Sequence, residues 1–223
     1  MNVVPANNGV NIRMIDISWQ DHGIIENCLD TTWVENFYKK LQIKENLSAR
    51  QFPEWNTQIG SMGHRDLSLM FAEKTKNING LGIPVHITLK FRSGHIGPHC
   101  DFPLVQPFGQ PNKTLLIPLN NFERSSTVVF NEQSECIIGA SSGQEIIKNF
   151  HVLSNTTNCD DFAYLAHVPS EVKKRLSVKK SLPWKKNSIL FWNSDLLHCS
   201  CAFDPDLFGG SRDALIIWTK QGT

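Results

Sequence analysis

A β-sandwich or barrel buttressed by helices is the architecture this sequence predicts, and two patterns carry the expectation. Residues 84–130 and 188–220 break into short apolar or alternating runs separated by Gly, Pro, Asn and Asp, the texture of successive β-strands. Ahead of them, residues 1–83 carry helical spacing and mixed polar stretches, so a helical front precedes a mostly β second half. At 223 residues the chain sits at the upper end of a single domain. A chain of this size buries about 70 to 75 per cent of the surface its unfolded form exposes, so it needs no disulfide to fold. We therefore read residues 1–223 as one domain: a helical and mixed buttress at 1–83, a β core at 84–130 and 188–220, and an insertion at 131–187.

In the buttress, Trp33, Phe37 and Leu41 recur every fourth residue with Val34 widening the stripe, which predicts a helix over 32–47 with one buried face. Residues 48–79 mix Pro53, Gly60 and Gly63 with a second expected helix over about 66–76. From residue 84 the period changes to two. Val85, Ile87, Leu89 and Phe91 alternate with His86, Thr88, Lys90 and Arg92, as on a half-buried strand. Gly94, Gly97 and Pro98 end that strand, and Pro103, Pro107, Gly109 and Pro111 punctuate the path to an apolar run over 113–120 and a β-branched segment over 126–130.

The insertion shows few strand signals and one expected short helix over 170–176. Lys173, Lys174, Arg175, Lys179, Lys180, Lys185 and Lys186 crowd into its end. The first reading of such a run is a solvated face, ahead of a lid or a contact to an acidic substrate or nucleic acid. Three further strands are expected over 188–192, 198–203 and 213–219, with Asn193, Asp195, Pro205, Gly209 and Gly210 in the turns between them.

Composition narrows the partners little. The chain is 40% hydrophobic and 19% charged, with a net charge of +1, so bulk charge neither selects nor dismisses a nucleic acid. The opening MNVVPANNGVNIRM has no basic start, apolar core or small-residue cleavage site, and no apolar run approaches the roughly 20 residues of a membrane span. A soluble, cytoplasmic protein that does not enter a membrane is the expectation. Cysteines 28, 100, 136, 159, 199 and 201 form no C-x2-C pair and are expected as free thiols.

Chemistry concentrates at His99-Cys100-Asp101, which follows a strand and a Gly-Pro break. In an extended segment the side chains at i and i+2 point the same way, so an imidazole and a carboxylate can share one metal. With eight histidines in the chain such a pattern also arises by chance, and it recurs at His64-Arg65-Asp66. That second match spells the HRD of a kinase catalytic loop, but Phe71 stands where its asparagine belongs and no Gly-rich loop or D-F-G accompanies it. Downstream, an apolar run through Phe191-Trp192 leads to His198, and Arg212 opens the run that ends at Trp218. Two imidazoles and one carboxylate suit a non-haem Fe(II) centre with three open positions, and they also suit zinc in a hydrolytic enzyme. The zinc reading has no use for Arg212 and finds no H-E-x-x-H.

These segments resemble the last core strands of the Fe(II)/2-oxoglutarate-dependent oxygenase superfamily, most closely its prolyl-4-hydroxylase-like branch. There a strand ending in Phe-Trp leads to the distal histidine, a basic residue opens the next strand, and a tryptophan follows six positions on. The resemblance covers roughly residues 85–220. It implies a double-stranded β-helix core (jelly roll, cupin-like), with His99, Asp101 and His198 holding Fe(II) and Arg212 pairing with the distal carboxylate of 2-oxoglutarate. The expected reaction consumes O2, releases succinate and CO2, and hydroxylates an unactivated C–H bond of a peptidyl side chain or small metabolite. The aspartate itself favours hydroxylation, since related halogenases carry a small residue in its place. Residues 113–120 resemble the strand after H-x-D, with Pro118 where the branch has a co-substrate-binding tyrosine. That leaves Thr114 and Lys113 as the expected second contacts to 2-oxoglutarate. The spacings from Asp101 to His198 and on to Arg212 exceed those of compact prolyl hydroxylases and fall within the wider superfamily. The alternative is a catalytically silent cupin-like module that binds a ligand or partner. The basic segment favours an acidic or polymeric prime substrate.

Overall fold

The computed structural model of the chain describes residues 14–34, 36, 54–57, 61–92, 97–101, 106–122, 125–133, 165–201 and 212–222. Eleven strands and two helices carry labels here: β1 (Ile15–Asp16), β2 (His22–Ile25), β3 (Glu54–Thr57), α1 (Ser61–Lys74), β4 (Ile78–Asn79), β5 (Ile83–Arg92), β6 (Pro111–Pro118), β7 (Ser126–Gln133), α2 (Ser170–Lys173), β8 (Val178–Pro183), β9 (Ile189–Asn193), β10 (Leu196–Ser200) and β11 (Arg212–Lys220). A 3-10 turn at Gln106–Phe108 precedes β6.

Two antiparallel sheets make the body. The larger has six strands in the order β2-β9-β6-β11-β5-β3, and the smaller has three in the order β10-β7-β8. A two-stranded parallel pair, β1 with β4, sits apart from both. The arrangement is that of a mainly β sandwich with few helices.

Alternation along each strand sorts its side chains between two faces. On the outer face of the large sheet, Ile87, Leu115, Ile117, Phe191, Leu215 and Ile217 pack in one cluster with Leu67 and Phe71 of α1 and with Trp33 and Val34. On its inner face, Leu116, Leu190, Trp192 and Ala214 meet Val129, Leu182 and Leu196 of the small sheet. The far side of the small sheet, with Val128, Phe130, Leu197 and Cys199, is covered by Leu165, Val168, Val172 and Leu176. Each fully buried side chain of this size stabilises by about 1.5–3 kcal/mol. The exposed Lys185–Glu26 ion pair is worth far less, so apolar burial holds the layers together.

Strands β5, β6, β7, β9 and β11 fall where the sequence pattern puts them. Four differences have local causes. Strand β8 lies within the stretch read as an insertion and pairs with β7 from Ser126↔Pro183 to Phe130↔Val178, so part of that stretch belongs to the core sheet. Its sequence VKKSLP is too basic to signal a strand, because its outward residues meet solvent. Helix α2 is shorter than the 170–176 expectation, ending at Lys173. Strand β10 begins at Leu196, which puts His198 in mid-strand rather than at a strand start. The strands β1 to β4 are two to four residues long, too short for a period to register.

Helix α1 starts at Ser61, ahead of the expected residue 66, and contains the His64-Arg65-Asp66 match. The helix expected over 32–47 is helical at 32–34 and 36. Its remainder lies outside the described residues, as do His95, His151, Cys136 and Cys159. Cys28, Cys100, Cys199 and Cys201 are free thiols as expected. Among the described residues no helix is long and apolar enough to cross a membrane.

Candidate metal and co-substrate site

The inner face of the sandwich opens into a cleft. The small sheet contributes Thr127, His198, Cys199 and Ser200; the large sheet contributes Thr114, Leu116, Trp192, Arg212, Ala214, Ile216 and Trp218; His99, Asp101 and Trp184 complete the wall. Register explains the selection. Arg212, Ala214, Ile216 and Trp218 are alternate residues of β11, while Leu215 and Ile217 between them belong to the outer core.

His99 is locked to His198 by a two-residue antiparallel bridge, with each backbone N–H donating to the other's carbonyl at 2.9 Å. The Asp101 N–H donates to the Ser194 carbonyl at 3.0 Å, tying the H-x-D segment to the turn between β9 and β10. The three side chains then converge: one donor atom from each of His99, Asp101 and His198 lies within 4.8 Å of the others. The imidazole centroids are 4.2 Å apart, and His198 also stacks on Trp192 at 4.5 Å.

The hydrogen-bond pattern suits ligation. His99 Nδ1 lies 2.9 Å from the Gly97 carbonyl and His198 Nδ1 lies 3.2 Å from the Leu196 carbonyl. A carbonyl only accepts, so a neutral ring in each place carries its proton on Nδ1 and offers the Nε2 lone pair. Such carbonyl partners orient metal-binding imidazoles. His198 Nε2 then faces Asp101 Oδ2 at 3.3 Å, a pair satisfied by a proton on the imidazole or by a cation held beside both atoms. Thr114 Oγ1 donates to the same Asp101 Oδ2 at 2.8 Å. Burial pushes the Asp101 carboxyl up, but His198 and His99, the Thr114 hydroxyl and the Trp218 indole outweigh it and hold the group below its usual range. At 4% exposed, Asp101 is thus a buried carboxylate that stays ionised. The donor set fits a divalent metal.

Arg212 opens β11 and is buried at 4% exposed. Its Nη1 donates to Ser125 Oγ at 3.1 Å and its guanidinium lies 5.3 Å from the Trp184 ring centre. Of the two expected second contacts, Thr114 lines the cleft as the hydrogen-bond partner of Asp101. Lys113 does not line it: one residue along β6, its side chain falls on the opposite face. There its ammonium donates to the Gln20 carbonyl at 2.6 Å and to Asn193 Oδ1 at 3.0 Å. Ser125, Thr127, Trp184 and Ser200 escaped the sequence reading, since isolated hydroxyls and a lone tryptophan carry no motif. The basic segment is partly committed, with Lys179 paired to Asp21 and Lys185 to Glu26.

No family model matches the sequence, and no curated protein does. Among solved structures, the chain is similar to the non-heme alpha ketoglutarate dependent epimerase SnoN from nogalamycin biosynthesis, with a TM-score of 0.51, 10% identity, and coverage of 90% of this chain and 78% of that one. A second SnoN structure, in complex with Fe3+, alpha ketoglutarate and nogalamycin RO, has a TM-score of 0.48 and 13% identity over 90% of this chain and 79% of that one. At such identities the first likeness is one of fold.

Proposed function

We propose that this protein is an Fe(II)- and 2-oxoglutarate-dependent dioxygenase on a double-stranded β-helix core, which hydroxylates an unactivated C–H bond and releases succinate and CO2. The observation that carries this reading is the convergence of His99, Asp101 and His198 within 4.8 Å, in a cleft that also holds a buried arginine. The fold shared with SnoN, an enzyme described as non-heme and alpha ketoglutarate dependent, supports it.

His99, Asp101 and His198 would hold the metal, and Arg212 would pair with the distal carboxylate of 2-oxoglutarate through its planar fork. Iron bound with 2-oxoglutarate and O2 supplies the oxidising power that no amino-acid side chain has. The protein's own residues orient and shield. Thr114 aims Asp101 with its hydroxyl, Trp192 backs His198, and the inner walls around Leu116, Ala214 and Ile216 keep water from the reacting centre. The likeness to an epimerase favours a second outcome at the same site, inversion at carbon instead of hydroxylation. The two differ in product mass, because only hydroxylation adds an oxygen atom. Lys174, Arg175 and Lys180 are exposed members of the basic segment, which would favour an acidic or polymeric prime substrate.

The test is succinate production from 2-oxoglutarate in air, with Fe(II) added to anaerobically purified protein. Iron-dependent succinate that falls to background in a His198→Ala variant supports the reading. Failure of the wild type to bind Fe(II) or 2-oxoglutarate would replace it with the silent binding module.

A further inference from the structure

Among the described residues Lys113 is one of the largest fully buried side chains, at 2% exposed, yet it lies outside the cleft. Its ammonium is held by the Gln20 carbonyl at 2.6 Å, by Asn193 Oδ1 at 3.0 Å and by the Phe191 ring, whose centre is 5.6 Å away. Asp21 and Asp195 supply the opposing charge. A buried ammonium is unfavourable unless it is paired and hydrogen-bonded, and an apolar side chain of similar volume would pack as well or better. Packing alone therefore does not account for a lysine here.

Lys113 and Asn193 are register partners of β6 and β9, and Asn193 is the last residue of β9 before the turn made by Ser194 and Asp195. The Asn193 N–H donates to the Asp21 carbonyl at 2.7 Å, so its backbone and its side chain are both clamped. Ser194 follows at 1% exposed, its N–H donating to the Asn112 carbonyl at 3.1 Å and its carbonyl accepting the Asp101 N–H at 3.0 Å. The Ser194 hydroxyl lies 3.4 Å from Thr114 Oγ1, the same hydroxyl that donates to the Asp101 carboxylate. Consecutive residues of β6 thus reach one aspartate from opposite faces of the sheet. Thr114 acts at the carboxylate, and Lys113 acts through the turn that carries the backbone contact.

Resting on the metal reading above, we infer that Lys113 is a positioning residue for Asp101: by fixing Asn193 it holds the Ser194 carbonyl that sets the backbone of the H-x-D segment. A metal then meets a carboxylate already in place, so less ordering accompanies binding. The lysine serves the site from behind the sheet.

The experiment is calorimetric titration of the full-length protein with Mn(II) under nitrogen, with urea denaturation of the same samples. Lys113→Met, which keeps the length and removes the charge, should weaken Mn(II) about tenfold or more, as loss of a group that orients a ligand does. Asn193→Ala should weaken it similarly, and Asn193→Asp, which keeps the accepting oxygen, should retain the wild-type affinity. Because the two side chains act as one unit, the double variant Lys113→Met/Asn193→Ala should bind no more weakly than the weaker single variant. Wild-type affinity in Lys113→Met, whatever its urea midpoint, overturns the inference, since the lysine would then serve the fold alone. Additive losses in the double variant also overturn it, since the two side chains would then act by separate routes. Should Lys113→Met not fold, the Asn193 pair decides, and equal affinities of Asn193→Ala and Asn193→Asp overturn the inference. If the wild type binds no Mn(II), the metal reading itself fails and this inference falls with it.

Discussion

Lys113 and Thr114 are chain neighbours with opposite fates, and the pleat of one strand decides between them. Thr114 turns inward to Asp101, while Lys113 turns outward to carbonyl and amide oxygens that replace its hydration. The same local logic governs Cys28, whose thiol donates to the Ile25 carbonyl at 3.1 Å and is pushed by burial up to about 11. Cys28 should alkylate slowly with iodoacetamide near neutral pH and much faster as the solution approaches pH 11, read by mass spectrometry of the labelled peptide. A raised thiol also ties stability to pH. The folded state prefers the neutral form, so its contribution is complete below the unfolded value of roughly 8.5 and is lost as pH rises through the folded value. Urea midpoints should therefore fall between about pH 8 and about pH 10.5, and a Cys28→Ser variant should show a smaller fall.

Among the elements, the strands that build the site are buried on both faces, which is why ILFWN of β9 reads as a continuous apolar run. The parallel pair β1 and β4 is held differently, by close backbone approach. Gly80, just after β4, has φ of 91°, and a Cβ placed there would lie 2.4 Å from the Ser18 backbone nitrogen. Neither the conformation nor the contact can relax without moving the chain. Gly80→Ala should thus destabilise the fold by about 1–3 kcal/mol, measured by urea denaturation. The cleft lies on other strands, so metal affinity in the folded variant should stay at the wild-type level.

Across the molecule, the candidate metal ligands come from two separate stretches of chain: His198 from the small sheet, and His99 and Asp101 from the segment bridged to it. A metal bound by all three links these pieces and stabilises the folded state by mass action. At a hundredfold excess over the dissociation constant, Mn(II) should add about 2.7 kcal/mol, roughly 5–10 °C in Tm for a chain of this size. Differential scanning calorimetry should show that shift in wild type and none in Asp101→Ala. An equal shift in both would mean that the ion binds elsewhere.

Much of the site was legible in the chain because its chemistry is local. His99-Cys100-Asp101 declares itself by a spacing of two, Val85 to Phe91 by alternation, and Phe191-Trp192 before His198 by a buried strand running into a polar turn. What was illegible depended on contacts distant in sequence. The basic strand β8 looks like a solvated loop until β7 supplies its ladder, and β1 to β4 are too short to have a period. Ser125 carries an ordinary hydroxyl until β11 brings Arg212 to it. The face on which Lys113 lies depends on where the pleat of β6 falls against its neighbours, and only the paired sheet sets that register. Residue types and short spacings, which determine which atoms can ligate, were properties of the sequence alone. Which of them meet across two sheets was decided by strand pairing, because the energy that brings distant segments together comes from burial and is not encoded in any short stretch.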